Sequence, residues 1–78
     1  MNNSNQKNTV IVKIKSDYIE LGKFLKFINV ISTGGLSKPF LLENKVLVNN
    51  SLEQRRGRKL YDGDVINIKG KTYLLNNH

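Results

Sequence analysis

The stretch EQRRGRKL, from Glu53 to Leu60, sets Arg55, Arg56, Arg58 and Lys59 within five residues. A guanidinium can grip two phosphate oxygens in parallel, and Gly57 leaves the backbone free to approach an anion. Crowding like charges is repulsive. The stretch is therefore either a solvated connection or the seat of an anion that relieves the repulsion. Lys23, Lys26 and Lys38 fall on the polar faces of two helical segments and extend the same chemistry. Lys13, Lys15, Lys69 and Lys71 read as ordinary solvated strand residues.

Other reactive groups offer little. Asp62 and Asp64 flank a glycine and read as turn formers, since a catalytic carboxylate pair needs a pocket that 78 residues can hardly enclose. His78 stands alone in a polar terminus. There is no cysteine, hence no disulfide framework and no thiolate metal site, and no phosphate-cradling glycine loop of the GxxxxGK type. The expectation is a protein that is not an enzyme, with no cofactor, metal or small-molecule substrate.

Thirteen Lys and Arg against six Asp and Glu give a net charge of +7, which favours a polyanionic partner. An anionic membrane would require a basic amphipathic helix with a broad apolar face or a lipidation signal. Neither is present, so nucleic acid leads. The start, MNNSNQKN, lacks the apolar run of a signal peptide. A cytoplasmic monomer is expected.

These cations need a scaffold. Residues 1–8 read as a disordered polar tail, 9–75 as one domain and 76–78 as a second polar tail. TVIVKI alternates as a strand. SDYIE reads as a turn, with Asp17 and Glu20 at capping-box spacing. Leu21, Phe24, Leu25 and Ile28 form one helical stripe over Leu21 to Val30. Phe27 lies off it beside Lys23, expected to pack beneath a loop, with base stacking as the alternative. STGG breaks the helix, and a second one, LSKPFLLEN, effectively begins near Ser37 because Pro39 belongs in a first turn. KVLV and SLEQ then form a hairpin through Asn49-Asn50, YDGD is a turn, and VINIK and TYLL pair through Gly70-Lys71. Phe24, Phe40 and Tyr73 read as core, and Tyr61 as packed. The fold class is α+β: two short helices on a small, mainly antiparallel sheet.

Val46-Leu47-Val48-Asn49 and Gly63-Asp64-Val65-Ile66 together resemble the hairpin and closing turn of the RNA-binding domain named after ribosomal protein S-four, its αL motif. YIELGKFLKFINVISTGG and RRGRKLYDGDVI are more closely similar to small stand-alone bacterial members of the YaaA and YbcJ type. The resemblance covers roughly residues 9 to 69. Gly34-Gly35 replaces the Ser-Arg pair of the wider family, and Lys38 stands where that family prefers Arg, so a bidentate phosphate grip is lost there. Asn44 and Asn50 replace glycines, and Asn tolerates the left-handed backbone such turns need.

The resemblance implies that the helices and the 55–59 loop lie on neighbouring surfaces and bind structured RNA. Ribosomal RNA or a ribosomal particle is the implied partner, in ribosome assembly or ribosome-associated quality control. The residues expected to touch RNA are Lys23, Lys26, Lys38, Arg55, Arg56, Arg58 and Lys59. Two other readings remain open. One is a helix-turn-helix-like DNA binder using Leu36 to Asn44, whose Lys38-Pro39 start reads a major groove poorly. The other is a basic adaptor docking on an acidic protein. Exposed aromatics suited to single-strand stacking are not expected.

Overall fold

The computed structural model describes residues 9–77, so the expected N-terminal tail and His78 lie outside the described residues. The helical stripe is realised in α1 (Leu21–Phe27), where Leu21, Phe24 and Leu25 are fully buried. The helix stops short of Val30 because Asn29 takes a left-handed φ of 64°. Its amide donates to the Lys26 carbonyl and the Val30 amide to the Leu25 carbonyl, an arrangement that satisfies the last helical acceptors. A 3-10 turn, Gly34–Leu36, leads into α2 (Ser37–Glu43). Pro39 is the third residue of α2, where its missing N–H would have had no helical partner, so the helix runs through it. Leu41 is fully buried and Phe40 partly so.

The main sheet combines β1 (Thr9–Lys13), β3 (Val46–Val48), β4 (Ser51–Leu52), β6 (Val65–Ile68) and β7 (Lys71–Asn76) in the order β1-β7-β6-β3-β4. Only β1 with β7 is parallel. Alternation sends Val46, Val48, Ile66, Ile68, Tyr73 and Leu75 to the core face, where the Tyr73 ring meets Phe24 edge-on at 5.8 Å. A slip of one residue would expose the whole set.

Asn49 and Asn50, with φ of 51° and 70°, make the expected tight turn between β3 and β4. The Asn49 side-chain oxygen also accepts from the Val65 amide at 2.9 Å, tying that turn to the start of β6. The other hairpin turns at Lys69-Gly70 rather than Gly70-Lys71. Ile68 pairs with Lys71, and the positive φ values fall on Lys69 (52°) and Gly70 (83°), with the glycine second in the turn. The return strand expected over SLEQ is only Ser51–Leu52, and β7 continues to Asn76, one residue beyond the expected domain end.

SDYIE is not simply a turn. Tyr18–Glu20 forms β2, paired antiparallel with β5 (Lys59–Tyr61) in a separate two-stranded ribbon. Ile19 and Leu60 are opposite one another and face the core, with Leu60 fully buried. The expected capping box does not form: Glu20 is the extended residue before α1 and makes no side-chain cap.

Gly22 is buried where α1 meets the start of α2. A Cβ there would sit 2.9 Å from Ser37 Oγ and 3.3 Å from Arg56 Cβ. Glycine to alanine within a helix ordinarily stabilises by about 1 kcal/mol. Here the sign reverses: Gly22→Ala should cost roughly 1–2 kcal/mol through overpacking, lowering the melting midpoint by several degrees. Gly34→Ala, whose Cβ would meet nothing within 4 Å, should leave it nearly unchanged in the same thermal scan.

Candidate nucleic-acid interface

The basic loop is anchored by its backbone. α1 has no side-chain cap, and its first two amides, Leu21 and Gly22, donate instead to the carbonyls of Arg58 and Arg56, each at 2.8 Å. These bonds supply partners to helix donors that otherwise lack them. The Arg58 amide closes on the Arg55 carbonyl at 3.2 Å, folding the loop into a turn. The loop therefore sits against the N-terminal end of α1.

Part of the crowded charge is relieved inside the protein. Glu53, just past β4, has a side chain only 8% exposed. Its Oε2 accepts from the Arg55 amide at 3.0 Å and from Arg55 Nε at 2.9 Å. Its Oε1 accepts from Arg55 Nη2 at 3.0 Å and from Arg58 Nη1 at 2.8 Å. The Arg55 side-chain hydrogen bonds hold the Glu53 pKa down to about 2; burial opposes them, and the Arg55 amide and Arg58 reinforce them. The fork of Arg55 is thus engaged, although its side chain remains 74% exposed. Of the three arginines expected to grip two oxygens each, Arg56 alone makes no side-chain hydrogen bond or ion pair among the described residues.

Arg56 faces the helices. A depression of about 260 Å³ is lined by Glu20, Lys23, Lys26, Gly34, Ser37 and Arg56. A neighbouring one of about 340 Å³ is lined by Gly34, Gly35, Lys38 and Arg56. Ser37, a buried residue in the lining of the first, donates from Oγ to the Gly34 carbonyl at 2.7 Å. Four cations from α1, α2 and the loop so converge on a surface floored by glycines, where polyanion oxygens can approach the backbone. Lys59 lies apart, in β5, with Nζ 4.8 Å from the centre of the Tyr18 ring.

Two aromatics depart from expectation. Phe27 does not pack beneath a loop; it is 57% exposed. Tyr61 is not packed either, being 48% exposed beside Tyr18. The parts that Glu53, Gly22 and Ser37 play in shaping this face escape the sequence reading. The one signal for Glu53 is an acid two and five residues before arginines, which solvated loops also show.

Among the described residues no helix is long and apolar enough to cross a membrane, and no group of three or more His, Cys, Asp or Glu could hold a metal ion. A family model described as S4 domain matches residues 12–76. The chain belongs to the S4 domain family. It is 52% identical over 59 residues to "Probable ribosome maturation protein RlbA" of Bacillus subtilis (strain 168), an alignment covering 76% of this chain and 83% of that protein. No solved structure matches the chain.

The carboxylate of Glu53 generates a pH prediction. Its folded pKa lies below the unfolded value, so its stabilisation is complete above about pH 5 and is lost as pH falls towards 2. Discounted for the exposure of Arg55, the contribution is roughly 1–3 kcal/mol. Glu53→Gln should lower the melting midpoint at pH 7 by roughly 5–15 °C. Circular dichroism melts should show the gap from wild type closing between about pH 5 and pH 2.

Proposed function

We propose that this protein binds folded RNA through the face made by Lys23, Lys26, Lys38 and Arg56, with Arg55, Arg58 and Lys59 at its margins. Ribosomal RNA, free or in a ribosomal particle, is the partner this reading assigns, and ribosome maturation the process. The observation that carries it is the convergence of those four cations around Gly34 and Ser37, with Arg56 left unpaired on a loop bonded to α1. Membership of the S4 domain family and the printed name of the Bacillus subtilis relative support the same direction.

The shape favours folded RNA over duplex DNA. α2 has seven residues, with Lys38 and Pro39 in its first turn and an exposed Leu42 behind them, so it offers a major groove few polar groups. A short face of point charges and one guanidinium suits phosphates brought together by RNA folding.

The test is salt-dependent binding of a short RNA hairpin. Each phosphate contact contributes about 0.7–0.9 to the log–log salt slope. Arg56→Gln should flatten the slope by about that amount and weaken binding roughly 5- to 30-fold. Lys71→Gln, which makes the same charge change but lines neither depression, should do much less. Equal losses would sink the face and leave only diffuse charge. In lysates, co-migration with ribosomal particles at low salt and release at high salt are expected. A protein that stays at the top of the density gradient at every salt would end the ribosomal reading.

A further inference from the structure

The outward side of the ribbon holds an aromatic pair that the face of Lys23, Lys26, Lys38 and Arg56 does not include. Tyr18 and Tyr61 are direct cross-strand partners, 39% and 48% exposed, with ring centres 5.9 Å apart and planes tilted by 48°. Neither phenol hydroxyl makes a hydrogen bond among the described residues. Lys59 places Nζ over the Tyr18 ring, and Glu20, its partner in register, forms no ion pair with it. We propose that Tyr61, backed by Tyr18, stacks on one unpaired nucleobase of the bound RNA, while Lys59 neutralises the phosphate beside that base.

Three observations select this occupant. The rings are tilted to one another and that of Tyr18 is already covered by an ammonium, so Tyr61 offers the face left for a flat ligand. That ammonium repels a cationic ligand, which excludes the quaternary ammonium groups that aromatic clusters otherwise attract. A nucleobase joined to a phosphate answers both halves of the site, the π face and the cation. The platform is also continuous with the basic loop. Lys59 directly follows Arg58, whose carbonyl receives the Leu21 amide, so base and phosphate contacts would be held by one connected backbone. A cross-strand tyrosine pair also steadies a three-residue ribbon, and the test separates the two roles.

This inference rests on the RNA reading above. The probes are an RNA hairpin carrying a single bulged 2-aminopurine and the same hairpin fully paired. Wild-type protein should prefer the bulged hairpin by roughly 5- to 100-fold and quench its fluorescence on binding. Tyr61→Leu should abolish that preference while keeping the salt slope and the affinity for the paired hairpin. Tyr61→Phe should retain the preference. Equal wild-type affinity for the two hairpins overturns the stacking site and leaves phosphate binding standing, as does a Tyr61→Leu loss that is the same for both. Absence of salt-dependent binding to either hairpin overturns the RNA reading and the stacking site together.

Discussion

Two hydrogen bonds, from the amides of Leu21 and Gly22 to the carbonyls of Arg58 and Arg56, hold the functional half of this molecule together. They satisfy the start of a helix that has no side-chain cap, and they fix where the most basic segment of the chain lies. Both groups are in place only because other constraints meet there. Leu21 is fully buried, so α1 cannot turn about its axis without losing core contacts. Gly22 carries no side chain, so Ser37 and Arg56 can close on it from two sides. The ribbon of β2 and β5 flanks the same point and sets Glu20 opposite Lys59 beside the junction.

Electrostatics divides the arginines by role. Glu53 is an acid nearly withdrawn from water, stabilised by two guanidinium groups and one backbone amide. Arg55 and Arg58 consequently serve the loop's own shape. Arg56, one residue from Arg55, points to the depression shared with Lys23 and Lys26. The position of one carboxylate thereby separates two arginines that brace the loop from one whose side chain stays unpaired. A net charge of +7 attracts polyanions, and the loop fixes where Arg56 presents its charge.

Much of this was legible in the sequence. The i, i+3, i+4 stripe of Leu21, Phe24 and Leu25 and the alternation of VINIK and TYLL are periodic signals, and both appear as elements. The left-handed pair Asn49-Asn50 is readable from turn chemistry alone. β2 and β5 were not readable, because a three-residue strand with a single inward residue, Ile19 or Leu60, has no period to detect. The turn at Lys69-Gly70 lies one residue before the Gly70-Lys71 turn that the sequence suggests, since Gly-Lys and Lys-Gly are both turn-compatible and only the pairing register separates them. At the site, the positions of the cations could be read, but their partners could not. Burial of Glu53 follows from tertiary packing beyond β4, and exposure of Tyr61 follows from the ribbon that local pattern does not reveal.

In the proposed complex one surface, centred on Arg56 and bounded by α1 and the start of α2, receives the RNA. Amide chemical-shift mapping of the full chain during titration with a short folded RNA hairpin measures this most directly. The largest shifts are expected at Gly22, Lys23, Gly34, Lys38 and Arg56, with the Asn49-Asn50 and Lys69-Gly70 turns nearly unmoved. Shifts spread evenly over Lys13, Lys69 and Lys71, or centred on them, would contradict it.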